Sequence, residues 1–244
     1  MENIAVIGSG SFGTTLAVLL GEKGYNVNLW CRRKELAGKI NSLRENAQYL
    51  KGIKIPKNVV CKSSIRDAAE NADVIVSAVP SQFTREVTRS YAKNIDKNSI
   101  VVNVAKGIEL HTYKTMSQVL RDELGNSIDI VTLSGPNHAE ELSKKMPTAA
   151  VIASENINCL EKIKKIFQTG YFKIFPHHDI IGIEVCGSIK NIAAIATGVC
   201  DGLGYGDNAR GSIITLGLME MGIFGNELGA KRATFYGIAG VGDL

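Results

Sequence analysis

Short runs of β-branched and other apolar residues recur through the first three quarters of the chain, and between most of them the apolar positions change to helical spacing. The runs Ile4–Ile7, Val27–Trp30, Val59–Cys61, Val74–Val79, Ile100–Val104, Ile128–Leu133, Ala149–Ala153 and Phe172–Phe175 predict strands. Helical patterns over 14–23, 64–71, 83–91, 113–124 and 160–168 fall between them. Such alternation predicts an α/β architecture: a Rossmann-type, mostly parallel sheet with helices on both faces, binding ligands beyond the carboxyl ends of its strands. Past Asp179 the strand signal stops, and fourteen of the 25 glycines lie from Gly182 onward. That segment predicts close-packed helices, the first near 180–201, joined by the polar turn 204–208. The expected organisation is a nucleotide-binding domain over 1–179 and an all-α second domain over 180–244.

Two local patterns carry chemistry. Gly8-Ser9-Gly10-Ser11-Phe12-Gly13 follows the first strand and opens a helix, the context in which a G-x-G-x-x-G run cradles a pyrophosphate. Its glycines give a tight turn, backbone access and close packing of helix on strand, and the helix start offers free N–H donors. After the second strand, where NAD-selective proteins carry an acid, the chain reads Arg32-Arg33. Arginines there suit a 2′-phosphate, so NADPH is expected to be accepted beside NADH. The second pattern is Lys190 in a nearly uncharged helix. It shares a face with Ile183, Cys186, Ala193, Ala194 and Thr197, so its ammonium is either buried, lining a cleft, or snorkelling to water.

Composition narrows the classes. The net charge of +4 is spread along the chain without a basic run, which argues against a nucleic-acid partner. No apolar run approaches the ~18 residues of a membrane span, and a strand begins at Ile4, so membrane insertion and a signal peptide are not expected. Five cysteines without a CxxC pair read as reduced thiols in the cytoplasm. Adjacent His177 and His178 point to opposite faces of a strand, so no metal site is expected. The chain lacks a Ser-His-Asp arrangement and a P-loop lysine, which removes the hydrolase and NTPase readings.

The glycine loop, the arginine pair, Val104-Ala105-Lys106-Gly107-Ile108, Ser134-Gly135-Pro136-Asn137-His138-Ala139-Glu140, Lys190-Asn191 and Gly240-Val241-Gly242-Asp243-Leu244 occur in one order along the chain. Together they resemble the bacterial-type NAD(P)-dependent glycerol-3-phosphate dehydrogenases. The resemblance implies interconversion of dihydroxyacetone phosphate and sn-glycerol 3-phosphate, in the cytoplasm, supplying glycerophospholipid synthesis. It implies Lys190, Lys106 and Asp243 as catalytic residues, with Lys190 the general acid and base. Lys106, Gly135, Asn137, Lys190, Asn191 and Asp243 would bind the phosphorylated three-carbon substrate. Gly8, Gly10, Ser11, Phe12, Gly13, Arg32, Arg33, Tyr49, Lys106 and Ala139 would bind the cofactor. A homodimer is implied for the full-length protein.

Two departures qualify the match. Asn137 stands where the family commonly has Ser or Thr, and its amide can still bond a substrate oxygen. Family members also continue past Gly-Asp-Leu into a segment whose Ser-Arg-Asn run helps hold substrate and cofactor, whereas this sequence stops at Leu244. A polypeptide of these 244 residues is therefore expected to be weak or inactive, with apolar helix faces exposed. Two competing readings are a β-hydroxyacid-type dehydrogenase with the same plan and an NAD(P)H sensor without turnover.

Overall fold

The computed structural model describes residues 2–244. In chain order the elements are β1 (Asn3–Ile7), α1 (Ser11–Glu22), β2 (Asn26–Trp30), α2 (Lys34–Leu43), β3 (Glu45–Asn46), β4 (Leu50–Lys54), β5 (Val59–Lys62), α3 (Ile65–Ala69), β6 (Val74–Ser77), α4 (Thr84–Tyr91), β7 (Ile100–Asn103), α5 (Met116–Leu124), β8 (Asp129–Ser134), α6 (Ala139–Ser143), β9 (Thr148–Ser154), α7 (Leu160–Phe167), β10 (Phe172–His177), α8 (Ile180–Gly202) and α9 (Asp207–Glu227). All eight expected strands form, in one sheet ordered β10-β9-β8-β7-β6-β1-β2-β5. Only the β8–β9 pair is antiparallel. Strands β6 and β7 are buried along their whole length, as a sheet covered on both faces requires.

The chain leaves β1 toward β2 on one side and β6 toward β7 on the other, which makes a switch point between the carboxyl ends of β1 and β6. There Gly8 has φ +125°, and a Cβ on it would lie 2.5 Å from the Ala78 carbonyl oxygen just past β6. Helix boundaries shift where local bonding decides them. Helix α5 starts at Met116 rather than Tyr113, because Thr115 and Gln118 form a capping box and Tyr113 has a left-handed φ of +57°. Helix α2 and the β3–β4 hairpin were not expected; α2 buries only Ala37 and Ile40, too thin a stripe to show as helical periodicity.

Helix α8 is capped by Asp179, whose Oδ1 accepts from the Gly182 N–H at 2.9 Å while Oδ2 accepts from the Lys231 N–H and the Thr234 hydroxyl. Its first half is buried with Val151 and Ala153 of β9, Met221 of α9, and Phe235 and Ala239 of the terminal segment. A Cβ on Gly217 of α9 would come within 2.6 Å of the Ala193 methyl on α8, so small residues set the separation of these two helices as expected. The expectation that no stretch is apolar enough for a membrane span fails for α8. An 18-residue stretch of this 23-residue helix reaches a mean hydropathy of 1.4, because Glu184 and Lys190 are averaged over many Ile, Val and Ala. Both of those charges are bonded to protein groups in the buried half, which is the environment of a core helix.

Candidate active site

The glycine loop is built by backbone contact. A Cβ on Gly13 would lie 2.0 Å from the Gly8 carbonyl oxygen, so only glycine lets α1 close onto the end of β1, while Gly10 faces open space. Among the described residues no side chain caps α1, so its first N–H groups are left without an intrahelical partner at the glycine turn, while Phe12 packs partly against the core. An uncapped helix start above a glycine cradle fits a dinucleotide pyrophosphate. Asn46, which nothing in the sequence singled out, braces this loop: its fully buried amide donates to the Ser9 carbonyl at 2.9 Å and to the Thr14 hydroxyl at 2.8 Å. Ala139 joins in through its carbonyl, which accepts from the Thr15 hydroxyl. Beyond β2, Arg33 donates to the Gln48 side-chain Oε1 at 2.6 Å and to the Tyr49 hydroxyl at 3.3 Å, with its guanidinium 5.9 Å from the Tyr49 ring centre. Arg32 is exposed beside it.

The second cluster lies beyond the ends of β7 and β8. Lys106 follows β7, Gly135 follows β8, Lys190 is on α8 and Asp243 is in the last turn of the chain. One Asp243 carboxylate oxygen lies 2.6 Å from the Lys106 Nζ and the other 2.5 Å from the Lys190 Nζ. Lys106 also donates to the Gly135 carbonyl at 3.1 Å, and Lys190 to the Asp243 carbonyl at 3.0 Å. The Asp243 side chain is 2% exposed and that of Lys190 11%, so the alternative of a snorkelling Lys190 head does not hold. Burial pulls the Lys106 ammonium below the usual lysine range; Asp243 opposes that shift and Lys190 adds to it. The turn that delivers Asp243 is compact: a Cβ on Gly240 would lie 2.0 Å from the Phe235 carbonyl oxygen and one on Gly242 2.7 Å from that of Ile238.

Around this cluster are two buried polar atoms without a protein partner among the described residues, Ser134 Oγ and Asn137 Nδ2. Gly187, one turn before Lys190, packs against both the Ser134 hydroxyl and the Lys106 stem; a Cβ there would lie 2.9 Å from the first. Asn191 is exposed on α8 and is not drawn into the contacts of Lys190.

Residues 3–160 match the family model for the NAD-dependent glycerol-3-phosphate dehydrogenase N-terminus, and residues 179–244 match that for its C-terminus. The chain belongs to the NAD-dependent glycerol-3-phosphate dehydrogenases. A glycerol-3-phosphate dehydrogenase (NAD(P)+) from Chlorobium limicola is 47% identical over 99% of this chain and 73% of its own length. One from Clostridium botulinum is 43% identical over the whole chain and 73% of its own. The crystal structure of glycerol-3-phosphate dehydrogenase from Coxiella burnetii superposes with a TM-score of 0.95 at 34% identity, over 100% of this chain and 74% of that one. The family is an oxidoreductase family that uses NAD(P)H.

The glycerol-3-phosphate dehydrogenase fold thus brings Lys106, Gly135, Lys190 and Asp243 into contact, and separately groups the glycine loop with Ala139 and Arg33 with Tyr49. Sequence reasoning missed Asn46, Asp179 and Glu184, buried polar side chains with structural bonds, and Ser134, whose buried hydroxyl has no protein partner among the described residues. For Asp179 a signal was present, an acid just before a helical run. The other three sit in short or apolar segments where periodicity says nothing about a polar side chain.

Proposed function

We propose that this chain reduces dihydroxyacetone phosphate reversibly to sn-glycerol 3-phosphate, with Lys190 as the general acid and base. The observation that carries the reading is the Lys106–Asp243–Lys190 cluster, two ammonium groups on one buried carboxylate beside the ends of β7 and β8. Bound at the glycine loop, NAD(P)H would supply the hydride for reduction, and NAD(P)+ would accept it for oxidation. Lys190 gives its proton to the oxygen of the former carbonyl as that oxygen gains charge, and takes it back in the reverse direction. Asp243 holds the Lys190 ammonium in place, and Lys106 attracts the substrate phosphate or polarises the carbonyl. The unpaired Asn137 amide donates to a substrate oxygen, and Gly135, with φ +139°, keeps backbone close to it. Arg32 and Arg33 receive the adenosine end, with Tyr49 behind them. Use of the product in glycerophospholipid synthesis, a cytoplasmic site of action and a homodimer belong to the same reading.

The test is NADPH oxidation by the purified chain with dihydroxyacetone phosphate, compared with Lys190→Ala. Turnover that falls about 10²–10⁴-fold in the variant, with NADPH affinity kept, supports the assignment. Turnover that survives the substitution overturns Lys190 as the acid. Tight NADPH binding with no turnover in a protein extended at its carboxyl end would instead favour a sensor.

A further inference from the structure

Glu184 takes no part in the steps above, yet its buried carboxyl sits where the segments carrying the reacting side chains converge. One oxygen accepts from the Ser117 N–H at 2.8 Å and from the Thr132 hydroxyl at 3.1 Å; the other accepts from the Ser117 hydroxyl at 2.6 Å. Ser117 is in the first turn of α5, at the end of the connection that leaves β7 through Lys106. Thr132 is in β8, whose end runs directly into Gly135 and Asn137. Glu184 itself is on α8, less than two turns before Lys190. A single side chain therefore ties together the three segments that supply Lys106, the 135–137 loop and Lys190.

Packing at the next turn repeats the arrangement. At Gly187 the helix touches Ser134, two residues past Thr132 on the same face of β8, and the stem of Lys106. Glu184 and Gly187 thus seat α8 on the same two segments, one by hydrogen bonds and the other by close approach. The far end of α5 is anchored as well. Arg85 of α4 pairs with Asp122 and Glu123 there and with Glu109 in the loop after Lys106, so the Ser117 end is not free to follow a moving α8.

An apolar side chain would fill this site without the cost of burying a carboxyl, a cost that only well-placed donors offset. Burial pushes the Glu184 carboxyl up, and the bonds from Ser117, Thr115 and Thr132 pull against that shift. The bonds are directional where apolar packing is not, and direction is what the placing of an ammonium requires.

We propose that Glu184 is a positioning residue, which fixes the depth and rotation of α8 and so places the Lys190 ammonium against Lys106 and the 135–137 loop. This rests on Lys190 being the proton donor. A misplacement of about 1 Å can cost about 10²-fold in rate without touching remote binding contacts. The glycine loop and Arg33 lie on other elements, so the cofactor end of the site is independent of Glu184.

Three variants of the full chain test the idea by kcat and NADPH affinity, read together. Glu184→Gln keeps the length: its carbonyl accepts from the Ser117 N–H and Thr132, and the Ser117 hydroxyl turns to accept from its amide. It is expected to stay within about threefold of wild-type kcat. Glu184→Asp keeps the carboxyl but is one methylene too short, and is expected to lose kcat about 10²-fold with NADPH affinity unchanged. Thr132→Val removes one bond in a fold that keeps Glu184, and is expected to lose kcat by a smaller factor with the same split. Equal kcat in all three variants and wild type overturns the proposal. So does a loss of kcat matched by an equal loss of NADPH-binding sites, which marks a fold defect alone. A wild type that does not turn over dihydroxyacetone phosphate even when extended at its carboxyl end overturns the functional reading, and this one with it; a wild type that does, with flat variants, overturns only the role of Glu184.

Discussion

Asp243 faces two ammonium groups with a side chain that is almost wholly withdrawn from water. Removing its charge leaves both lysines without a counter-ion in a poorly solvated place. Asp243→Asn is therefore expected to destabilise the chain by up to about 3 kcal/mol, tempered because Lys106 keeps some contact with water. Urea unfolding checks this, and an unchanged midpoint would mean that the lysines are served by solvent. Arg33 belongs to the same scale. Held by Gln48 and Tyr49, its guanidinium is pre-set at the edge of the cofactor opening. Arg33→Ala is expected to lower the kcat/KM ratio of NADPH to NADH about tenfold, the worth of one charge-assisted bond to a phosphate. An unaltered ratio would leave Arg33 a stacking residue only. Lys190 was readable from sequence because a lone cation among Ile, Cys and Ala is conspicuous. Asn46 was not, because its value lies in which carbonyl its amide reaches after the chain has folded back from β3.

Among the elements, the eight strands were legible because each carries a short apolar run, buried throughout in β6 and β7 and alternating with exposed positions in β5 and β10. The β3–β4 hairpin is exposed on most of its length and carries no such run. Helix α1 shows how strictly one junction is specified. Gly13→Ala places a methyl against the Gly8 carbonyl, which belongs to backbone and cannot turn aside. The expected result is loss of NADPH binding by at least an order of magnitude, measured by fluorescence titration, since the loop must open to admit the methyl. Retained affinity would show that α1 shifts along its axis without cost to the cradle. Helix α8 was legible as a helix and as the bearer of Lys190, but not as a strut. Its attachment through Asp179 and Glu184 depends on partners at 117, 132, 231 and 234, far away in sequence.

At the scale of the molecule, the sheet is covered by apolar packing, whereas the outer faces of α8 and α9 are not. Ile192, Ile195, Val199 and Leu203 on and after α8, with Leu216, Met219 and Ile223 on α9, are all more than half exposed. Contiguous apolar surface of this kind promotes association. The 244-residue chain is expected to sediment as concentration-dependent oligomers and to bind ANS, with both effects reduced in Ile192→Ser/Ile195→Ser. A monodisperse monomer that leaves the dye dark would show that the two helices close over these side chains in solution. The sequence anticipated this exposure through the resemblance rather than through hydropathy, since the apolar count of a helix does not tell which face is covered.

The shared carboxylate also sets an electrical inventory. Two ammonium groups against one carboxylate leave the cluster with one positive charge more than Asp243 balances. A phosphate ester arriving there works as the counter-ion to that charge. Its capture is therefore a competition with the salt of the medium. The screening distance shrinks from about 30 Å at 0.01 M to about 10 Å at 0.1 M, so the cleft draws substrate from afar only in dilute electrolyte.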